Sequence, residues 1–178
     1  MGRQLSVTRQ VQEFKHLTFT IMRNGALIKM YTLTVNPQDM SQEETARVNV
    51  IETLGGFFAQ EWGRGVIDGH ISGTLGYSKR IGWDGQWTDG YQELKKLRDD
   101  IYRYFLEPEG KPKQLMTSKD KYELRLYNWY NEQYFQILPR KFTVSQTNNR
   151  PILYEYSLPF VVVKELTFDS SIRGRIGG

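Results

Sequence analysis

The stretch Thr45–Tyr77, TARVNVIETLGGFFAQEWGRGVIDGHISGTLGY, constrains the fold of this chain more than any other. It reads as a strand, a glycine-broken excursion and a second strand. Arg47–Thr53 is β-branched and partly alternating, with Val48, Val50 and Glu52 on one face. Gly55-Gly56 interrupts it. Phe57, Phe58 and Trp62 follow with almost no polar cover, and Gly63 and Gly65 bracket a basic turn at Arg64. Ile67, Gly69, Ile71 and Gly73 then alternate with Asp68, His70, Ser72 and Thr74. Glycine at alternate strand positions leaves room on one face, which suits a strand approached closely by another backbone or by a bulky ring.

The flanking sequence supplies strands and one helix. Phe14–Met22 and Ala26–Val35 are predicted strands joined by Arg23-Asn24-Gly25, and Asn-Gly between two such runs signals a hairpin because both residues tolerate positive φ. Leu17, Phe19 and Ile21 face one way. Asn36-Pro37 ends the hairpin, and the acidic run Asp39–Glu44 is predicted to be a connection holding a turn of helix. From Tyr91 the period changes. Tyr91, Leu94, Leu97, Ile101, Tyr104 and Phe105 form one helical stripe, with Asp89 as N-cap and Gln92 in capping-box position. Pro108 and Gly110 stop this helix, which covers roughly residues 90–106. Strands resume at Tyr122, Leu124 and Leu126, turn near Asn128–Glu132, and continue through Tyr134–Leu138 and Lys141–Gln146. After a turn at Thr147–Pro151 comes a long strand, Ile152–Leu166, whose Pro159 predicts an edge or a bulge.

The fold class that follows is α+β: a mostly antiparallel β-sandwich or barrel with one flanking amphipathic helix and extended termini. Residues 1–13 are predicted to be an N-terminal arm, 14–168 a single β domain, and 169–178 a C-terminal arm. Aromatic residues make up 13% of the chain, a share that favours β-structure and interfaces. No cysteine is present, so neither disulfides nor thiolate metal sites are available. No apolar run approaches membrane-spanning length, and no apolar leader opens the sequence. The net charge of +4 is spread out, with its excess in the tails at Arg3, Arg9, Arg173 and Arg175. That pattern describes a solvated surface with basic arms better than a nucleic-acid-binding face.

Catalytic constellations do not form in the sequence. His16 and His70 are the two histidines, too few for a metal site without cysteine. Ser72 could share a strand face with His70, yet no nucleophile elbow accompanies them. Glu61 beside Trp62 could be half of a glycosidase pair, but a rim residue is the plainer account. Gly63-Arg64-Gly65 and Gly174-Arg175-Ile176-Gly177 do not lead from a strand into a helix as phosphate loops do. Lys79, Arg80, Trp83 and Trp87 could make a single-strand-binding surface; packing of these tryptophans against the helix or a neighbouring subunit is the competing account. The expectation is a protein without enzymatic activity, cofactor or metal. The alternative is a nucleic-acid-binding β-barrel module, with a carbohydrate-active domain behind it.

Taken in order, Val35-Asn36-Pro37, Arg47-Val48-Asn49-Val50, Gly55-Gly56-Phe57, Trp62-Gly63-Arg64-Gly65 and Ile71-Ser72-Gly73-Thr74 resemble the tail-tube and tube-initiator proteins of phage tails and related contractile injection machines. The order of elements from about residue 14 to 165 is similar to the amino-terminal domain of LysM-bearing tube–baseplate adaptors, although no LysM module follows. The resemblance implies a structural role in the tube, adaptor or baseplate, within a virion made in the host cytoplasm. It implies copies of the chain in a ring, commonly a hexamer joined edge to edge around a channel. Neighbouring tail-tube or baseplate proteins would be partners, DNA only passing cargo, and no membrane would be involved. Candidate subunit-interface residues are Phe57, Phe58, Trp62, Arg64, Trp83, Trp87, Arg173 and Arg175.

Overall fold

The computed structural model describes residues 16–53, 56–82, 84–110, 120–147 and 150–167, with backbone alone for 48–53, 56–58, 60–62, 147, 150 and 151. Both predicted arms, Trp83, Arg173, Arg175 and residues 111–119 lie outside the described residues.

Chain order gives β1 (Leu17–Arg23), β2 (Ala26–Thr32), β3 (Asp39–Thr53) and β4 (Gly56–Gly76). Two short strands follow, β5 (Arg80–Ile81) and β6 (Trp87–Thr88), then a helix α1 over residues 90–106. The last four strands are β7 (Tyr122–Asn128), β8 (Gln133–Pro139), β9 (Thr143–Thr147) and β10 (Arg150–Glu165). The main strands form one antiparallel sheet in the order β2-β1-β7-β8-β10-β4-β3, with β9 also on β10; β5 and β6 pair separately. The sheet does not close into a barrel, and among the described residues β2 and β3 are its two edges.

Register explains why one face of this sheet is core. Across six strands Ile67, Val162, Ile137, Leu124, Ile21 and Lys29 stand in one row, and its first five members are apolar. Helix α1 lies over this face, reaching β4 and β10 from its first turns and β1, β2 and β7 from its later ones. Leu94, Leu97, Ile101 and Phe105 are buried there against strand residues such as Phe19, Ile71 and Phe160. Tyr127, Trp129 and Tyr134 stack as a smaller cluster, and the Trp129 indole donates to Thr18 Oγ1 at 2.8 Å.

Several local expectations hold. Asn24 and Gly25 turn the first hairpin with φ of 50° and 84°. Asp89 caps α1 by accepting from Gln92 N at 2.9 Å. Asn128 Oδ1 accepts from the backbone of Tyr130 and Asn131, building the 128–132 turn.

Four expectations need correction. Asp39–Glu44 holds no helical turn: β3 begins at Asp39 and its acidic residues pair with β4. The glycine-broken excursion is a continuous strand, because Gly63 and Gly65 fall where β4 carries two residues against one of β3, as β-bulges. Gly63 takes φ of 81°, and a Cβ on Gly65 would stand 2.2 Å from the Thr45 carbonyl oxygen. Helix α1 is not regular: Leu97–Arg103 is π-helical between α-helical Gly90–Lys96 and Tyr104–Leu106. Pro159 lies neither on an edge nor at a bulge. It sits in β10 between β4 and the β8/β9 side, where the partner changes from Thr143 at Ser157 to Pro139 at Phe160. Its carbonyl accepts from Arg140 N at 2.9 Å, and the gap between β8 and β9 leaves no carbonyl in need of its missing N–H.

Candidate assembly surfaces

The hairpin of β3 and β4 is longer than the sheet it belongs to. β10 pairs with β4 from Ile67 to Gly76, so among the described residues 56–66 of β4 pair with β3 alone. At about 3.3 Å per residue this two-stranded arm projects roughly 35 Å. Residues 41–47 of β3 are exposed without alternation, so neither face of that segment is covered. A two-stranded ribbon is marginally stable in water, and an uncovered edge strand offers its backbone groups to another chain. Arg64 forms a cross-strand ion pair with Glu44 at 2.6 Å within the arm. Phe57, Phe58, Trp62 and Arg64 therefore share one strand of the arm; the side chains of the three aromatics lie outside the described residues.

Trp87 sits at the other end of β4. Gly90, two residues past β6, packs so closely on Gly76 that a Cβ there would stand 2.4 Å from the Gly76 carbonyl oxygen. Trp87 is 68% exposed, and its cross-strand neighbour Ile81 is exposed beside it. The β5–β6 hairpin is tied to α1 by Lys96–Asp84 at 2.8 Å and Arg80–Glu93 at 3.7 Å. The hydrogen bond from Lys96 holds the Asp84 carboxyl below its usual range. Glu93 is buried, and burial, with the Glu93 carboxylate adding to it, pushes the Tyr31 and Tyr156 hydroxyls well up.

A neighbouring group escaped the sequence reading. Tyr91, placed in the helix's apolar stripe, is half-exposed and packs its ring on Tyr154 rather than entering the core. Tyr77 meets Tyr154 edge-on and shares a hydrogen bond with it that raises the Tyr154 hydroxyl to about 12. Ile152 is also exposed. Alternation along β4 and β10 could have signalled these strand ends; the helix period pointed the other way for Tyr91.

Across β3, β4, β10 and β9 much of the sheet face away from α1 is polar, whereas further along the same face Val161, Leu138, Tyr127 and Tyr134 are apolar or aromatic. Asp39, Ser72, Ser157 and Thr143 stand in one row across β3, β4, β10 and β9, and Thr74, Glu155 and Ser145 form the next. Asp68, Glu43 and His70 continue it. His70 Nε2 is 2.9 Å from Ser157 Oγ, with Asp39 Oδ2 at 3.9 Å from Nδ1, so its hydroxyl partner is Ser157 and not Ser72. Arg140 reaches Asp68 at 2.7 Å. On this part of the face Asp39, Glu43, Asp68 and Glu155 stand against Arg140 and His70, an acidic surface on a chain of net charge +4. Among the described residues no group of three or more His, Cys, Asp and Glu could hold a metal ion, and no helix is long and apolar enough to cross a membrane.

Helix α1 thus covers one face of the sheet, hydroxyls and carboxylates line part of the other, and the β3–β4 hairpin extends beyond both. Residues 6–172 match a family described as "putative phage tail tube initiator protein", and the chain belongs to that family. It is a structural component of phage tails, and its place is the virion. Comparison with curated proteins gives no match. Among solved structures, similarity is found to an extracellular contractile injection system sheath–tube complex in the extended state, at 6% identity and TM-score 0.38, covering 83% of this chain and 86% of that one. The tube-terminating cap of the anti-feeding prophage matches at 9% identity and TM-score 0.36, covering 83% and 85%. A chain of the native gene transfer agent virion matches at 13% identity and TM-score 0.39, covering 86% and 95%.

Proposed function

We propose that this protein forms or initiates a ring of the tail tube or baseplate, without enzymatic activity, by joining β edges of adjacent copies. The observation that carries this reading is the arm: residues 56–66 of β4 have β3 as their sole described partner, and 41–47 of β3 are exposed on both sides. At the other edge, β2 exposes Leu27 and Ile28. A monomer leaves both edges open, whereas a closed head-to-tail ring pairs one with the other and removes them. Six copies is the stoichiometry we favour, with further tail-tube or baseplate proteins stacked on the ring.

In such a ring α1 faces outward and the hydroxyl- and carboxylate-bearing face turns toward the channel. Carboxylates repel phosphates, so DNA would pass without sticking, and the same charges speak against a nucleic-acid-binding module. Phe57, Phe58, Trp62 and Arg64 on the arm and Trp87 on the β5–β6 hairpin are the proposed contact residues, with Trp83, Arg173 and Arg175 as further candidates.

Light scattering and negative-stain microscopy at high protein concentration, with and without neighbouring tail proteins, test this. Rings are expected, and Trp62→Ala should reduce their yield while leaving the circular dichroism of the subunit unchanged. A strict monomer in both conditions, whose affinity for oligonucleotide falls steeply with salt, would overturn the proposal.

A further inference from the structure

Glu93, in the first turn of α1, is the one buried carboxylate among the described residues. Its Oε2 stands 3.7 Å from Arg80 Nε, an ion pair too long for a hydrogen bond. Among the described residues neither Glu93 Oε1 nor Arg80 Nε has a hydrogen-bond partner. Tyr31 donates at 3.2 Å to the backbone carbonyl of Glu93 and not to its carboxylate. A buried carboxylate is costly unless it is both paired and hydrogen-bonded, and an apolar pair of similar volume is often as good for stability or better. Stability therefore gives no account of Glu93.

What the ion pair holds is the β5–β6 hairpin. With two residues in each strand, this hairpin is too short to keep its shape alone in water. Arg80 stands opposite Thr88, and Ile81 opposite Trp87. Strand side chains alternate in direction. The Arg80–Thr88 pair thus faces the body of the subunit, where Thr88 is buried, and the Ile81–Trp87 pair faces out, where both are exposed. Close packing of Gly90 on Gly76 fixes where the hairpin ends, and the tie from Arg80 to Glu93 fixes how it is turned. The second tie, Lys96–Asp84 at 2.8 Å, joins partly exposed groups at the hairpin's turn, where Asp84 Oδ1 also accepts from Gln86 N. Ion pairs open to solvent hold weakly, which leaves the buried one to set the direction of Trp87.

We infer that Glu93 is a positioning residue: through Arg80, its buried carboxylate holds the β5–β6 hairpin so that Trp87 and Ile81 are presented outward to a neighbouring subunit. The inference rests on the reading of Trp87 as a ring contact. Holding a tryptophan in place before contact removes an ordering cost that binding would otherwise carry. Stability and assembly should then part company. The chain lacks cysteine, so Gln86→Cys gives a single spin-label site on the exposed side of the hairpin. In an Arg80→Met/Glu93→Met double variant the urea midpoint should be unchanged or higher, the label several-fold more mobile, and ring yield several-fold lower, as with Trp87→Ala. Arg80→Lys, which keeps the cation, should lie nearer wild type in label mobility and ring yield. A label as ordered as in wild type would overturn the proposal at any ring yield. So would a lowered midpoint or a double variant that does not fold, since either marks the pair as an ordinary structural bond. In the unaltered protein, Gly82 N donates to Gln86 O at 2.7 Å, and its amide should exchange far more slowly than that of an unfolded peptide. Exchange at the unfolded rate would refute a held hairpin. A freed label with unchanged ring yield would keep Glu93 as the anchor of the hairpin and remove Trp87 from the ring contact.

Discussion

Gly69→Ala should destabilise the subunit through a single contact. An ideal Cβ at Gly69 would stand 2.2 Å from Phe160 Cε2, 2.3 Å from Cζ and 2.9 Å from Cδ2. Carbon atoms pack at about 3.5–4.0 Å, so the ring would have to move by roughly 1.3 Å or more. Phe160 has no exposed surface and stands directly opposite Gly69 in the core, so the shift must displace other packed groups. Overpacking of this kind costs about 1–3 kcal/mol. With a urea m-value of about 2 kcal/mol/M, a 2 kcal/mol loss lowers the denaturation midpoint by about 1 M. Phe160→Leu alone should cost about 1–2 kcal/mol by leaving a void. In the double variant the added methyl occupies space the ring has vacated, so the two losses should fall short of additivity by about 1 kcal/mol or more. Urea unfolding of all four proteins measures this. An unchanged midpoint for Gly69→Ala, or strict additivity in the double variant, would refute the claim that the glycine is there to admit the ring.

Three further outcomes follow from particular contacts. Trp129→Phe removes the indole bond to Thr18 Oγ1, but Thr18 retains Thr32 Oγ1 at 2.9 Å, so the loss should be only about 1 kcal/mol by urea denaturation. Asp89→Ala removes the cap on α1 and should cost about 1 kcal/mol, with faster hydrogen exchange at Gln92 N than elsewhere in the helix. Hydrogen bonds from Lys121 and Arg125 hold the Glu123 carboxyl below its usual value. A carboxyl depressed in the folded state contributes stability above its unfolded pKa of about 4.3 and loses it as pH falls through the folded value. Glu123→Gln should therefore be less stable than wild type at pH 7, and the gap should narrow below about pH 4 when midpoints are compared across pH.

The local devices were legible because each acts over a few residues. Asn24-Gly25 names its turn, Asp89 its cap, and the spacing of Leu94, Leu97, Ile101 and Phe105 its buried stripe. What the sequence hid was non-local. The acidic character of Asp39–Glu44 suggested a connection, because the strand facing it, on which Asp39, Ser41 and Glu43 lie beside Ser72, His70 and Asp68, is more than twenty residues away in sequence. Tyr91 fits the helix period, and its turn buries Gly90, Glu93 and Leu94, yet its own ring stays half-exposed and rests on the outside of Tyr154. Pro159 broke the rule for interior strands because its neighbour is interrupted at the same height.

Thr45–Tyr77 draws the line most clearly. The sequence by itself determined that alternate glycines there must admit something bulky or close, since no side chain can occupy those positions. Tertiary structure decided what enters: Phe160 over Gly69, Tyr156 over Gly73, and the Thr45 carbonyl against Gly65. It also decided that Gly63 and Gly65 bend a continuous strand without breaking it, and that the strand outruns β10 to leave an arm. Those facts depend on register between segments distant in the chain, and a local pattern of residues carries no record of its partner.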